Sequence, residues 1–198
     1  MLIFLFSIFS KLILLIALTY LEYKIVYIYY IVIMKNKEIG INKIIGIFTT
    51  WRFIFFLIWK LPMGFWARLR VPILDIEKSN VTVPYNYWNK NPFKSMYFAV
   101  QAMAAELSTG VLAILHSDGK NMSILVTSIK ADYYKKATTK INFICLDGEK
   151  ILTAVEQAIE TGEAQKCIMK SKGYDSNGVC VSEFQITWSL KQRRLLKK

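Results

Sequence analysis

Glu106 is the residue of this chain best placed to do chemistry, because it is the one carboxylate in the long apolar stretch 91–116. Burial raises the pKa of a carboxyl group unless a partner compensates, and a pKa closer to neutrality suits a general base. A structural role stays open, in which Glu106 hydrogen-bonds to Thr109 or to a facing strand. The sequence therefore marks Glu106 as a candidate base or ligand contact.

A helix over 91–116 is the element predicted to carry this carboxylate. Asn91 is a good N-cap residue, and Pro92 suits the first helical position. A core stripe recurs at every third or fourth residue and comprises Met96, Val100, Met103, Leu107, Val111 and Ile114. Small residues flank the acid in a second stripe, formed by Ala99, Ala102, Glu106, Gly110 and Ala113. Such a stripe lets a sheet, a second helix or a ligand approach closely.

Composition narrows the chemistry further. The chain has 198 residues and a formal net charge of +12, which favours anionic partners such as phosphate-bearing molecules, membrane headgroups or nucleic acid. With one histidine, His116, a Ser-His-Asp triad is possible only around that residue, and a zinc site is poorly supported because Cys and His never cluster. No phosphate-binding loop, dinucleotide glycine pattern or nucleic-acid motif is present. We therefore expect neither a metal nor another cofactor, and no specific nucleic acid.

The three cysteines, Cys145, Cys167 and Cys180, lack CxxC spacing and leave one unpaired in any disulfide scheme, which favours a reducing compartment.

Residues 1–33 are almost all apolar and long enough to span a bilayer. Two interpretations stay open: a genuine anchor, or translated upstream sequence ahead of a start at Met34. We expect a cytoplasmic protein that is membrane-associated if residues 1–33 are genuine.

A second apolar stretch, 43–69, predicts a helix that ends near Lys60, before Pro62. We expect it to pack on a sheet, and the alternative is a membrane-surface helix with Trp51, Trp59 and Trp66 at the interface. The domain prediction is an apolar segment 1–33, an N-terminal helix 34–60, one domain 61–191 and a basic tail 192–198.

Strand patterns flank the long helix on both sides. They cover 71–76, 80–85, 123–129, 138–146, 165–172 and 179–190, with a shorter helix over 149–161. The last two strands form a hairpin through Ser176-Asn177-Gly178, a strong turn signal. The pattern predicts an α+β fold, in which a long central helix is wrapped by a curved antiparallel sheet.

Three segments in this order resemble the hot-dog thioesterase superfamily, in particular its PaaI-like bacterial branch, which is catalogued as a domain of unknown function. They are VTVPYNYWNKNPFKSMYFAVQAMAAELSTGVLAI, SILVTSIKADYYKKATTKINFIC and SEFQITWSLK, within roughly residues 60–191. The resemblance implies a hot-dog fold that pairs into dimers through its sheets, and hydrolysis of acyl-CoA or related thioesters. It also implies that a helix carboxylate and helix N-terminal amides act from opposite subunits.

Carried over by resemblance, Glu106 is the catalytic acid, Asn91 is the polar residue leading into the helix, and Lys94 and Ser95 offer the carbonyl-binding amides. Because Ser95 and Glu106 are eleven residues apart, they are separated by roughly 16 Å along a helix, so joint action requires a second subunit. Further substrate-binding candidates are Tyr97 on the first turn, and Lys135 and Lys136, which could meet the phosphates of CoA.

Two departures from the family weaken the catalytic interpretation. Phe93-Lys94-Ser95 stands where many active relatives carry His-Gly-Gly, and Glu106 lies about one turn beyond the usual acid. The first hypothesis is an acyl-CoA thioesterase-like hydrolase that forms at least a dimer. The alternative is a non-catalytic hot-dog module that binds acyl groups or assembles proteins, tethered to a membrane if residues 1–33 are a genuine anchor.

Overall fold

The computed structural model describes Lys24 and residues 40–193. The rest of the predicted segment 1–33, the first part of the predicted helix 34–60 (residues 34–39) and most of the predicted tail 192–198 (residues 194–198) lie outside the described residues. The chain divides into two compact units, Met1–Asn42 and Lys43–Lys198, and the site lies in the second. The helices are α1 (Gly40–Thr49), α2 (Arg52–Lys60), α3 (Pro62–Trp66), α4 (Phe98–Ser117) and α5 (Gly148–Thr161), with a 3-10 helix at Tyr87–Asn89. The strands are β1 (Arg70–Leu74), β2 (Ser79–Val83), β3 (Met122–Tyr133), β4 (Ile141–Cys145), β5 (Gln165–Tyr174) and β6 (Cys180–Gln192).

One antiparallel sheet contains all six of these strands, in the order β1-β2-β4-β5-β6-β3. The β5–β6 hairpin turns where the sequence predicts it, and Gly178 takes the left-handed conformation there, with φ 77°. The predicted α+β architecture is therefore confirmed, including every predicted strand.

The long helix α4 lies against one face of this sheet. Alternate residues of the central strands point toward it and are buried, among them Val81, Phe143, Phe184 and Ile186. Ser108 fixes the helix to the sheet: its Oγ lies 2.7 Å from Ser171 Oγ on β5, and its carbonyl accepts the hydroxyl of Ser79 on β2. The helix that carries Glu106 thus has a fixed position over β2 and β5.

The edge strand β3 is left largely uncovered. Its residues opposite the buried side of β6 are apolar, and they are partly buried at Ile124, Val126 and Ala131 and exposed at Ile129 and Tyr133. A long apolar edge strand with unpaired backbone groups is a surface that pairs with another strand. The β3 edge is therefore available to a second subunit.

The predicted start of the long helix is wrong, because α4 begins at Phe98 and not after Asn91. Residues 91–97 make their backbone hydrogen bonds elsewhere: Met96 N–H donates to Ala137 O at 2.8 Å, and Tyr97 N–H donates to Asn89 O at 2.7 Å. Asn91 caps a tight turn instead, in which Lys94 has φ 58°. These bonds replace helical ones over residues 91–97, so the helix begins six residues later than predicted.

The predicted helix end at Lys60 is confirmed by α2, and Pro62 begins α3. Phe53 and Leu57 of α2 are buried, but they pack mainly against Phe48 of α1 and against α3 rather than on the sheet. Within residues 40–193, α4 is long and apolar enough to cross a membrane, and so are α1 and α2 taken together across an 82° bend. Because α4 is the buried helix of the sheet, its apolar character is that of a core helix.

Candidate active site

Glu106 lies near the middle of α4, close to Trp188 of β6. A methyl group built on Gly110, one turn later, would lie 3.4 Å from the ring of Trp188 and 3.5 Å from Glu106 Oε1. The carboxylate and the indole therefore flank the same point. Trp188 is a buried residue of β6 and stands opposite Val126 on the uncovered strand β3.

The neighbouring polar groups are bonded to one another and leave the carboxylate free. Trp188 Nε1 donates to Thr109 Oγ1 at 2.9 Å, and Thr109 Oγ1 donates to the backbone carbonyl of Glu106 at 2.9 Å. Over residues 40–193, the Glu106 carboxylate has neither a hydrogen-bond nor an ion-pair partner. Thr109 therefore does bond to Glu106, as the structural alternative expects, but it bonds to the backbone carbonyl and not to the side-chain carboxylate.

Burial raises the pKa of Glu106 above the ordinary glutamate range. The physical cause is loss of solvation without compensation, because removing a carboxylate from water disfavours its charged form. The side chain nevertheless remains partly accessible. A half-buried carboxyl group with a raised pKa and no partner can accept a proton from water or contact a ligand.

The start of α4 offers hydrogen-bond donors. Val100 and Gln101 N–H groups donate to Tyr97 O at the helix entry, whereas the N–H groups of Phe98 and Ala99 have no acceptor within the described part of the chain. Tyr97 provides no side-chain cap. Exposed first-turn amides carry partial positive charge and can bind a carbonyl oxygen or an anion.

The predicted site residues before α4 form the turn just described. Asn91 Oδ1 accepts from the N–H groups of Phe93 and Ser95, at 3.0 and 3.2 Å, and Lys94 N–H donates to Asn91 O at 3.2 Å. The hydroxyl of the buried Ser95 accepts from Ala137 N–H at 3.1 Å. The amides that the resemblance assigns to a carbonyl are therefore used within this turn.

The predicted substrate-binding residues lie around the same entry to α4. Tyr97 is partly exposed and its ring contacts that of Phe98, with centroids 4.7 Å apart. Lys136 Nζ donates to Phe93 O at 3.1 Å, which brings the exposed Lys135 and Lys136 next to the 91–95 turn that carries Lys94. The structure thus gathers Tyr97 and the three lysines at the start of α4, away from Glu106 in the same subunit.

Sequence reasoning missed the contact between Trp188 and Thr109, and it missed the first-turn amides of Phe98 and Ala99. The alternation of β6 marks Trp188 as buried, but only the register of β6 against α4 reveals its contact with Thr109. Among the described residues, no group of three His, Cys, Asp or Glu side chains could hold a metal ion. The cysteines are free, and burial raises the pKa of Cys145 to about 12, so its thiol stays protonated.

A family model described as Domain of unknown function (DUF4442) matches residues 49–190. None of the curated proteins matches the chain. Among solved structures, a Pseudomonas aeruginosa protein of unknown function, named a probable thioesterase, is 22% identical with a TM-score of 0.64, over 72% of this chain and 95% of its own. A Chlorobaculum tepidum protein of unknown function is 16% identical with a TM-score of 0.63, over 72% and 93%.

A second Pseudomonas aeruginosa protein, a thioesterase whose mutant was crystallised, is 13% identical with a TM-score of 0.54, over 65% of this chain and 85% of its own. At such identities the likeness shows the fold alone. The predicted hot-dog fold is therefore confirmed.

Proposed function

The chain belongs to the DUF4442 family, and from that premise we propose that it is a thioester hydrolase that works as a homodimer. The observation that carries the proposal is the Glu106 carboxylate, which is half-buried on α4 and has no partner within residues 40–193. A buried ionisable group without a partner costs stability, so a protein that keeps one has a use for it. Trp188, which lies close to Glu106, stands opposite Val126 on the uncovered strand β3, and this placement points that use toward a second subunit.

In the proposed reaction Glu106 removes a proton from water, and the hydroxide oxygen attacks the thioester carbonyl carbon. The developing oxyanion is stabilised by the N–H groups of Phe98 and Ala99. The carbon–sulfur bond then breaks, the thiolate takes the proton from Glu106, and a carboxylic acid and a thiol leave. Direct attack by Glu106 through an anhydride is the second route open to the same carboxylate.

The amides and the carboxylate must come from different subunits. Phe98 and Glu106 are eight residues apart, which separates them by roughly 12 Å along α4. A single thioester carbonyl cannot contact both groups in one chain. Pairing of two β3 edges would set two α4 helices antiparallel and bring the start of one near the middle of the other.

The remaining predicted residues take supporting roles in this proposal. Lys94, Lys135 and Lys136 lie at the entry to α4 and would bind the phosphates of a CoA-type carrier, with Tyr97 beside the acyl thioester. Asn91 and Ser95 are positioning residues, because their side chains hold the turn that aims α4. No cofactor enters the reaction.

A pair of variants tests the two halves of the site. Phe98→Pro removes one N–H at the first helical position, where proline is well accepted, and Tyr97 already has the extended conformation (φ −62°, ψ 132°) that proline requires of its predecessor. Phe98→Ala is the matched control, since it shortens the side chain and keeps the N–H. We expect Phe98→Pro to lower acyl-CoA hydrolysis about a hundredfold, and Phe98→Ala to lower it far less.

Mixing subunits of the two variants distinguishes a site built within one chain from a site shared by two chains. A heterodimer of Glu106→Gln with Phe98→Pro contains one intact site, so random mixing of two inactive variants should restore about a quarter of the parent activity. No restoration, with heterodimers present, would contradict a shared site. Absence of hydrolysis by the parent chain would instead favour an acyl-binding module, the alternative that Phe93-Lys94-Ser95 in place of His-Gly-Gly supports.

A further inference from the structure

An exposed aromatic face lies on α2, α3 and the 3-10 helix. We use the name aromatic face for the exposed residues Trp51, Phe55, Ile58, Trp59, Met63, Trp66, Tyr87 and Trp88. Trp59 is 80% exposed, and the ring pairs Trp51–Phe55 and Trp66–Trp88 lie with centroids 5.6 and 5.8 Å apart. Contiguous apolar surface of this kind marks an interaction site.

The elements that carry the aromatic face are well packed on their other sides, so the exposure of these rings is not the result of poor packing. The opposite side of α2 is inserted into the protein, with Phe53 and Leu57 almost completely buried. The 3-10 helix is fixed by the buried Asn89, whose Nδ2 donates to Ala67 O at 2.9 Å and to Pro84 O at 2.8 Å. The protein therefore holds Trp66 and Trp88 in place while exposing their rings.

The two chain segments that carry the aromatic face have charges of one sign. Exposed cations accompany the face, namely Arg52, Lys60, Arg68, Arg70 and Lys90. The two stretches that carry the face, residues 43–74 and 79–105, contain no aspartate or glutamate. A surface that combines exposed aromatic rings with unopposed cations is complementary to an anionic, partly apolar partner.

We propose that the aromatic face docks this protein on the surface of a bilayer that contains anionic lipids. Tryptophan and tyrosine favour the interface, where the ring lies among acyl chains and its polar atom stays near water. Arginine and lysine beside them would bind headgroup phosphates. A second copy fits less well, because it would bring the same cations together without carboxylates to pair them.

The sequence ahead of this face agrees with a bilayer as the occupant. Residues 1–33 are apolar over a length that could span a membrane, and they carry one glutamate that could pair with the cations, Glu22. Residues 1–33 could therefore contact the aromatic rings of the face, but they carry too few acidic groups to pair with its cations. A bilayer that contains anionic lipids offers both acyl chains for the rings and phosphates for the cations.

Tryptophan fluorescence of the full chain tests the proposal. Four of the five tryptophans belong to the aromatic face, and the fifth, Trp188, is the buried ring beside Glu106 and serves as an internal control. Variants that keep only Trp59 or only Trp188, with phenylalanine at the other positions, are bound to vesicles of phosphatidylcholine and phosphatidylglycerol with brominated acyl chains. We expect strong quenching and a blue shift for Trp59, and neither for Trp188.

Two outcomes would overturn the proposal. Vesicle binding with Trp59 unquenched would mean that residues 1–33 alone attach the chain. Protection of Trp59 from iodide before any lipid is added would mean that the chain or a second copy covers the face.

A charge series completes the test. Arg52→Gln and Lys60→Gln should each weaken Trp59 docking about fivefold on anionic vesicles, and added salt should reduce the difference. Lys166→Gln, an exposed cation on β5 away from the face, is the matched control and should have no effect. Equal effects of all three variants would contradict a docking surface located at the aromatic face.

Discussion

At the residue scale, the central feature is a carboxylate whose surroundings make no bond to it. Trp188 Nε1 donates to Thr109 Oγ1, and Thr109 Oγ1 donates to the backbone carbonyl of Glu106, so these polar groups near the carboxylate are already satisfied. A structural glutamate would be expected to accept from one of these donors. The arrangement leaves the carboxylate able to contact a substrate. It can be tested by replacing the carboxylate with an amide of the same shape.

Glu106→Gln should reduce thioester hydrolysis by at least a hundredfold, because the amide cannot accept a proton from water. The stability of the variant at neutral pH should not fall with its activity. The folded-state pKa of Glu106 is raised, so its stabilising contribution is present at acidic pH and is lost as pH rises through that pKa. Thermal melts at neutral pH should therefore find the variant at least as stable as the parent, with the difference vanishing under acidic conditions. A large loss of stability at neutral pH would indicate a structural role.

The pH dependence of the rate provides a second prediction at this scale. A general base must be deprotonated, so kcat/KM should fall as pH drops through the pKa of Glu106, which lies above the ordinary glutamate range. The measurement is kcat/KM across acidic to neutral pH, for the parent and for Phe98→Ala, which keeps the carboxylate. An acidic limb at the ordinary glutamate pKa would show that the working carboxyl group is not buried.

The sequence singles out Glu106 as the one carboxylate of the long apolar stretch, but it predicts an earlier helix start than the structure has. Glu106 is the one acidic residue in the apolar stretch 91–116, so the sequence alone identifies it. The helix start is not identified in this way, because Asn91 and Pro92 form an ordinary N-terminal signal that loses to bonds from Met96 to Ala137 and from Tyr97 to Asn89. Those partners are distant in sequence, so local propensity carries no information about them.

At the element scale, α4 shows why a helix that is apolar all round is hard to orient from sequence. Its predicted core stripe is buried at Val100, Leu107 and Val111, but Met103 is only partly buried and Ile114 is exposed. The small-residue stripe is partly exposed at Ala102 and fully buried at Gly110. Hydrophobic periodicity chooses a face only when polar residues mark the other one.

Gly110→Ala tests the space between the carboxylate and the indole. The added methyl group would lie at van der Waals distance from Trp188 and from Glu106 Oε1, so the fold should accept it, and helix propensity should stabilise the protein by up to about 1 kcal/mol. Because the methyl group occupies the approach to the carboxylate, we expect kcat/KM to fall about tenfold or more. The checks are a denaturant melt and acyl-CoA kinetics, and full activity would show that substrate does not pass this point.

Gly148→Ala is the contrasting change in a glycine. A Cβ there would lie 2.2 Å from Ile76 O and 2.6 Å from the backbone of Glu77, where the start of α5 meets the turn between β1 and β2. Backbone atoms cannot move aside as a flexible side chain can, so we expect a loss of about 1–3 kcal/mol in the free energy of unfolding. A neutral result in urea unfolding would mean that this close approach is not maintained in solution.

At the scale of the whole molecule, the proposal requires a dimer through β3. Ile129→Asp places a charge on the apolar side of this strand, and we expect dissociation to monomers together with loss of hydrolysis. Ile168→Asp is the matched control on the outward face of the central strand β5, where the side chain has a similar exposure of 53% against 47%. Sedimentation velocity separates the outcomes, and a dimer that survives Ile129→Asp would place the subunit contact elsewhere.

The aromatic face and the proposed catalytic residues are connected within one subunit. Asn89, which anchors the 3-10 helix that carries Trp88, also accepts the N–H of Tyr97 with its backbone carbonyl at the entry to α4. A bilayer at the aromatic face would therefore lie near the helix start that binds the thioester carbonyl in the proposed reaction. Acyl substrates with long chains partition into bilayers, so this placement favours them over short ones.

The most direct test of the proposed hydrolase is thiol release from a panel of short, long and aryl acyl-CoAs, measured for the full chain and for Glu106→Gln. We expect turnover by the parent that collapses in the variant, while sedimentation and circular dichroism find the dimer and the fold unchanged. Turnover that survives Glu106→Gln would contradict the assignment of the carboxylate, and no turnover on any member of the panel would contradict the proposed hydrolase.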